Sequence, residues 1–268
     1  MSLSIVTATQ SQKTVLITGA AQGLGREICR QMAAKGWCTV VADLDRVQGE
    51  LCAAECRELR PDADSLFVWV DLGTAEGPSQ MVDAAVRHFG RLDVLINCAA
   101  YATAEAFTEM SAGAWETTLL VNVRGLALAT AAAAAPMARQ GGGRIINITS
   151  PASRMALPNY VAYAASKAAV DSLTRSSAVA LAPKNIQVNS VAPGMMDTPL
   201  QIKTEAIFAA LEGQSDFKSF QAARTARIPA GRRVSCQEVA QTVVWLAADA
   251  PDYVTAERLN ISGGLDKD

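Results

Sequence analysis

Tyr163 and Lys167, four residues apart, and Ser150, thirteen residues upstream of the tyrosine, carry the side chains of this sequence best suited to moving a proton. The four-residue spacing sets the phenol and the amine on one face of a helix, expected over 160–181. A phenol titrates near 10 in water, too high for a base at neutral pH. A neighbouring ammonium favours the phenolate, and opposite charges shift a pKa by about 1 to 3 units. Tyr-x-x-x-Lys arises in many helices by chance, so the pair gains meaning only with Ser150, whose hydroxyl could hydrogen-bond a reacting oxygen. Thr149 and, more weakly, Ser153 are rivals for that role. Asn122 lies within an apolar helical pattern over 115–128, where a buried amide needs a partner. It would hold a water that relays protons, or cap a helix kink.

A second group of residues suits a phosphorylated ligand. Thr18-Gly19-Ala20-Ala21-Gln22-Gly23-Leu24-Gly25 follows the first apolar run, and Glu27, Ile28 and Met32 then begin a helical period. Glycines let the backbone turn sharply and approach a pyrophosphate, while the open N–H groups and positive end of the helix attract its charge. The spacing differs from G-x-G-x-x-G, so the position after the first strand carries more weight than the glycines themselves. The next run ends at Asp43, where a carboxylate could accept hydrogen bonds from an adenosine ribose, although such a residue also ends strands innocently. A 2′-phosphate there would be repelled by roughly 4 kcal/mol, for unit charges about 4 Å apart at an effective dielectric of about 20. Gln22 and Leu44 offer it no cation, which leaves Arg26 and Arg46. NAD is therefore expected over NADP. Asp71-Leu72 and Asn97-Cys98-Ala99-Ala100 follow two further runs, at the edge where open α/β sheets bind ligands.

The elements that must position these groups alternate from end to end. Short runs recur at Val15-Leu16-Ile17, Thr39-Val40-Val41, Leu66-Phe67-Val68, Val94-Leu95-Ile96, Ile145-Ile146 with Ile148, Val188 with Val191, and Leu259 to Ile261. Runs apolar on both faces, separated by helix-period segments, indicate a buried parallel sheet with right-handed crossovers. The expected fold is a Rossmann-type, doubly wound α/β domain of about seven strands, single over 14–268. Residues 199–223 break the rhythm with a weak helical pattern around Phe208, Phe217 and Phe220, as a substrate lid or an oligomer contact would.

Composition narrows the partners. The 268 residues are half apolar, with a net charge of −2 and a pI near 5.6, and the cations are dispersed, so no nucleic acid is expected. The six cysteines lack CxxC pairs, Cys52 and Cys56 share a helix face through packing, and no metal is expected. A reducing, cytoplasmic compartment suits them. The single histidine, His88, reads as a helix C-terminal residue, which argues against a histidine-based triad. Residues 1–13, polar and lacking the features of a secretory signal, are expected to form a flexible tail. The most apolar stretch, 126–138, falls short of the roughly 20 residues a bilayer requires, so it reads as an interior helix and no membrane is expected.

Together these motifs resemble the short-chain dehydrogenases/reductases, in their branch of roughly 250 residues, over nearly the whole chain. Residues 18–25 resemble the TGxxxGxG turn, and Asn122, Ser150, Tyr163 and Lys167 fall where that family has its catalytic tetrad. Pro193-Gly194-Met195-Met196-Asp197-Thr198 resembles PGxxxT, which implies contacts from the Met196 backbone and Thr198 to a nicotinamide carboxamide, with Pro193 also at the cofactor. The implied cofactor set is Gly19, Gln22, Gly23, Leu24, Gly25, Asp43, Asp71, Leu72, Asn97, Ala99, Tyr163 and Lys167 with those three. Met155, Tyr160 and Met195 are candidates to line a substrate pocket, although core packing explains them equally. Asn97-Cys98-Ala99-Ala100 departs from the usual NNAG, and Ser262-Gly263-Gly264 from an acidic Gly-Gly ending.

The resemblance implies hydride transfer between NAD and a secondary alcohol or ketone. A sugar or polyol has a slight edge over a cyclic alcohol, and the assembly implied is a homotetramer with the Asn122 and Tyr163 helices facing neighbouring subunits. In the implied mechanism Tyr163 exchanges the alcohol proton, Ser150 orients the oxygen, Lys167 lowers the Tyr163 pKa and holds a ribose, and Asn122 fixes a relay water. An NADP-dependent carbonyl or 3-ketoacyl reductase is the alternative, and a dinucleotide-binding sensor without turnover is a third reading that the intact tetrad argues against.

Overall fold

The computed structural model describes residues 12–266, so the tail expected over 1–13 lies outside the described residues except for Gln12 and Lys13. Seven runs form strands: β1 (Thr14–Thr18), β2 (Cys38–Asp43), β3 (Ser65–Trp69), β4 (Val94–Asn97), β5 (Gly143–Ile148), β6 (Ile186–Pro193) and β7 (Arg258–Ile261). All pair in parallel, in the order β3-β2-β1-β4-β5-β6-β7. The order reverses between β1 and β4. At such a switch point the loops leaving the two strands diverge and open a crevice at their carboxyl ends.

Helices cover both faces because the central strands are apolar on both. On one face α1 (Gly23–Ala34), α2 (Arg46–Leu59) and α9 (Cys236–Val244) bury Ile28, Met32, Cys52, Val239 and Val243 against Ile17, Val41 and Ile96. On the other, α3 (Gly77–Phe89), α5 (Leu126–Arg139) and α6 (Val161–Leu181) bury Met81, Ala129, Met137 and Ala178 against Leu16, Leu95 and Ile145. Cys52 and Cys56 are buried together under α2, and His88 closes α3, 2.8 Å from Asp64 Oδ2.

Two segments differ from expectation. The helix read as 126–138 is the second half of one continuous helix, Ala112–Arg139, of 28 residues, which is long and apolar enough to cross a membrane by length and composition. Its first half is α4 (Ala112–Leu119), joined to α5 by a wide π turn, Leu120–Gly125. Gly125 packs so close to the chain that a Cβ there would stand 2.6 Å from the Leu72 carbonyl oxygen, so the weak helix former in mid-helix is a packing requirement. Only one face is interior: Ala129, Ala133 and Met137 meet the sheet, while Leu128 is exposed. The 199–223 segment is two helices, α7 (Pro199–Leu211) and α8 (Phe217–Ala226), closed over their own apolar cluster of Phe208, Ala209 and Phe220 with Ala104.

Candidate active site

The crevice at the switch point is a cleft of about 820 Å³ running from β2 to α7. Its near end is built from backbone. Gly19 and Gly23 adopt left-handed φ of 66° and 55°, conformations that cost little only without a Cβ. A Cβ on Gly19 would stand 2.6 Å from Ala99 Cα, and one on Gly25 only 2.2 Å from the Gly19 carbonyl oxygen. The first turn of α1 is thus pressed onto the turn before it. Thr18 Oγ1 accepts the N–H groups of Cys98 (3.0 Å) and Ala99 (3.1 Å), which fixes the loop after β4 against the same turn.

This end fits a dinucleotide pyrophosphate. The first turn of α1 has no side-chain cap at Gln22 and no acidic residue, so its N–H groups and positive dipole end face the cleft. Asp43 accepts the Ala21 N–H at 2.9 Å and the Asp45 N–H at 3.0 Å while bordering the cleft. It therefore braces the glycine turn with the same carboxylate that is available to a ribose. Asp71 likewise accepts the Gly73 N–H at 2.7 Å. Gln22, Leu24, Leu72, Ala99, Pro193, Met196 and Thr198 also line the cleft, and Thr198 caps α7 by accepting the Gln201 N–H at 3.2 Å.

Asn97 does not line it. Its amide lies inside the sheet layer, donating to Asn147 Oδ1 (2.9 Å) and Thr130 Oγ1 (3.2 Å). Strand residues alternate faces, so the cleft is reached by Cys98 and Ala99 rather than by the last residue of β4. Met195 is corrected on the same grounds. In the extended segment after β6, Met196 faces the cleft, while Met195 lines a separate cavity of about 280 Å³ with Ile228 and Val234. Met155 does not line the cleft either, whereas Tyr160 does.

The far end carries the polar side chains. Ser150, not Thr149 or Ser153, is the hydroxyl bonded to Tyr163. Thr149 Oγ1 donates to the Lys167 carbonyl oxygen at 3.3 Å, and Ser153 Oγ donates to Asp171 Oδ2 at 2.6 Å. Ser150 Oγ accepts the Ala152 N–H at 3.2 Å, which aims its own hydrogen away from that neighbour. Lys167 is 2% exposed, its Nζ donating to the Ile148 carbonyl oxygen at 2.8 Å and lying 5.6 Å from the centre of the Tyr163 ring.

Burial governs both groups. It pushes the Tyr163 phenol up to about 12, against the opposing hydrogen bond from Ser150, and pushes the Lys167 ammonium down to about 8. The expected acidic phenol is therefore not produced by these side chains alone, because desolvation outweighs the Ser150 hydrogen bond. Asn122 differs from expectation too. Its Oδ1 accepts the Tyr101 N–H at 2.7 Å, and its Nδ2 donates to the Tyr101 carbonyl oxygen (2.9 Å) and Ser166 Oγ (3.0 Å). The amide clamps the loop after β4 to the π turn and α6, with both N–H groups used on protein atoms.

Beside the far end lies α7, with α8 packed on it. Tyr160 stacks on Tyr163, ring centres 4.4 Å apart, and meets Phe208 of α7 edge-on at 5.1 Å. Glu205 of α7 has a fully buried carboxylate. It takes hydrogen bonds from Gln201 (3.1 Å), Gln221 (3.0 Å) and Arg224 (3.1 Å), and a two-pronged one from Arg233 at 3.0 Å to each oxygen. Burial would raise its pKa, but the Gln221 and Gln201 amides and the Arg233 charge outweigh that and hold it below the ordinary carboxylate range. Sequence reasoning missed this hub, since an acidic residue on a weakly amphipathic helix reads as surface. It also missed Cys98, Tyr101 and Leu200 in the cleft lining, where only the position after a strand or beside Thr198 was a signal.

Comparison with known proteins bears on all of this. Residues 19–266 match the sequence family described as enoyl-(acyl carrier protein) reductase. The trans-4-hydroxycyclohexanecarboxylate dehydrogenase of Sinomonas cyclohexanicum is 35% identical over 266 residues, 98% of this chain and 96% of the relative. A crystal structure of an actinorhodin polyketide ketoreductase variant with NADPH superimposes with a TM-score of 0.91 at 29% identity, covering 98% of this chain and 100% of that one. A xylitol dehydrogenase bound to NAD+ gives 0.90 at 28% identity, over 96% and 100%. Sequence match and sheet architecture thus agree along almost the full length, and the chain belongs to the short-chain dehydrogenase/reductase family of oxidoreductases.

Proposed function

We propose that this protein interconverts a secondary alcohol and its ketone with NAD(H), Tyr163 exchanging the proton. The observation that carries the reading is the group of Ser150, Tyr163 and the buried Lys167 at one end of a cleft whose other end is a glycine-built phosphate cradle. When bound, the nicotinamide supplies the hydride donor or acceptor and, in its oxidised form, a positive charge beside the phenol. Tyr163, protonated at neutral pH with burial holding it up to about 12, donates its proton to a carbonyl oxygen in reduction. In oxidation the phenol must first release its own proton to solvent, a loss the positive charges of Lys167 and of an oxidised nicotinamide would favour, and the phenolate then takes up the hydroxyl proton. Ser150 orients the reacting oxygen, its own oxygen steadied by the Ala152 N–H. Lys167 spends one donor on Ile148 and keeps two for a ribose, and below about pH 8 it holds a positive charge behind the phenol. Asn122 acts by fixing the loop and helix that frame the site.

The cofactor preference rests on Asp43 and on where the nearby cations are spent. Arg26 is ion-paired with Glu55 and donates to Gln48 Oε1 at 3.2 Å, and the Arg46 guanidinium lies 5.0 Å over the Trp69 ring. A 2′-phosphate would therefore meet a carboxylate without a cation already turned towards it. On the substrate side, Tyr160, Met196 and Leu200 flank the reacting group and the Gln201 amide is engaged by Glu205. A ring-bearing secondary alcohol is favoured, in keeping with the hydroxycyclohexanecarboxylate dehydrogenase relative.

The test is NADH formation across cyclic alcohols and polyols, with NADH and NADPH titrated in parallel. Tyr163→Phe should lower turnover by at least about a hundredfold with NADH affinity nearly unchanged. A variant with normal turnover would exclude the role of Tyr163, and tighter binding of NADPH would overturn the argument from Asp43.

A further inference from the structure

Arg258 opens β7 in a position flanked by apolar Leu259 and Ile261, yet its guanidinium is buried, with only 9% of the side chain exposed. It reaches under the loop that carries Ser150. Nη2 donates to the Ser150 carbonyl oxygen at 3.1 Å and to Ser153 Oγ at 3.4 Å, and pairs with Asp266 Oδ2 at 2.7 Å. Nε stands 3.4 Å from Asp171 Oδ2, and Nη1 donates to Asn260 Oδ1. Asp171 lies on α6 one turn beyond Lys167 and also accepts the Ser153 hydroxyl. One side chain thus ties the Ser150 loop, the helix bearing Tyr163 and Lys167, and the segment after β7 to one another.

We propose that Arg258 is a positioning residue for the proton-transfer step, holding the Ser150 peptide so that its hydroxyl stays against Tyr163. The proposal rests on the reading of Ser150 and Tyr163 as the reacting pair. Stability alone does not account for the residue. A buried ion cluster is commonly matched or bettered by apolar side chains of the same volume, and among the described residues Arg258 Nε and Asp171 Oδ1 have no hydrogen-bond partner. What the guanidinium adds is a planar donor that holds the Ser150 carbonyl oxygen while its charge lies between the Asp171 and Asp266 carboxylates. The neighbouring contacts pin other parts of the same loop. Thr149 N–H donates to the Val191 carbonyl oxygen at 2.8 Å, and Ser153 N–H donates to the Ser150 carbonyl oxygen at 3.1 Å. Arg258 connects this loop to the last strand of the sheet. Displacing a reacting group by a fraction of an ångström to an ångström is enough to slow a step severely.

The experiment is a double-mutant cycle between Arg258→Lys and Ser150→Ala, read as ketone reduction. Lysine keeps a charge between Asp171 and Asp266 but cannot also hold the Ser150 carbonyl from the same direction. Arg258→Lys should lower kcat about tenfold, leave NADH affinity from fluorescence within about twofold, and add little to the loss already caused by Ser150→Ala. Full turnover in Arg258→Lys, or losses that multiply with those of Ser150→Ala as a purely structural defect would, overturns the proposal. A Ser150→Ala protein with undiminished turnover strikes instead at the reading of the reacting pair. If Arg258→Lys does not fold, the triple variant Arg258→Met, Asp171→Asn, Asp266→Asn strands no charge and carries the same expectations.

Discussion

Around Gly25 the cleft is held by backbone packed on backbone, whereas around Glu205 it is held by charge buried among side chains. At the first, the Gly19 carbonyl lies so close that even a methyl group has no room, and side chains only brace it, Asp43 on the Ala21 N–H and Thr18 on the loop after β4. At the second, one carboxylate gathers two glutamines and two arginines from α7, α8 and the segment after α8, and the aromatic contacts of Tyr160 and Phe208 close over it. The difference would suit the two proposed tasks. Fixed N–H groups are what a pyrophosphate needs. A segment that covers a substrate would have to be separable, and α7 and α8 carry their own small core.

If that contrast is right, damage at either end should stay there. The largest effect is expected from Glu205→Ala, which leaves the buried Arg224 and Arg233 guanidiniums, 20% and 11% exposed, without their shared anion. Losing one partner of a buried pair costs about 3–5 kcal/mol, and Asp197, 2.9 Å from Arg233, will offset part of it. Denaturant melts should register the loss, the KM for the alcohol should rise, and binding of ADP, a fragment that reaches only the cradle, should be unchanged. ADP affinity falling in step with stability would mean the two ends are one cooperative unit. Gly25→Ala should do the reverse at a smaller cost of about 1–3 kcal/mol, since the new Cβ can be relieved only by moving backbone. ADP binding should weaken, and the melting of a lid probe such as a fluorophore on α8 should not shift. A Gly25→Ala protein that binds ADP normally would show that the cradle gives way more easily than its contacts suggest.

The same contrast explains what could be read from the sequence. The seven strands, their parallel pairing, and the glycine turn of residues 18–25 were legible because backbone requirements leave few residue choices, and periodicity reports burial on both faces. The group of Ser150, Tyr163 and Lys167 was legible through spacing, and the structure separates Ser150 from Thr149 and Ser153 by which way each hydroxyl points. Side-chain networks were not. Asn122 was read as holding a relay water or capping a helix kink, and it does sit in the π turn, but its partners, the backbone of Tyr101 and the hydroxyl of Ser166 44 residues away, were not legible. Glu205 and Arg258 look like ordinary surface charges until the chain folds, and Met195 and Met196 are indistinguishable until the strand alternation assigns each to its own cavity.

The smallest effect expected is a change of pH, which should be felt at the chemical end alone. Burial depresses Lys167 to about 8, so its charge is present below that pH and lost as pH rises through it. Tyr163, held up to about 12, stays protonated over the same range and contributes no titration of its own to reduction. Ketone reduction should therefore keep its rate below about pH 8 and fall about tenfold between pH 7 and 9, while ADP binding at the backbone cradle stays flat. Lys167→Met should run more slowly throughout and lose the inflection, because the charge behind the phenol is then absent at every pH. An inflection that survives in Lys167→Met would assign the titration to another group and break the link between the buried amine and the proton step.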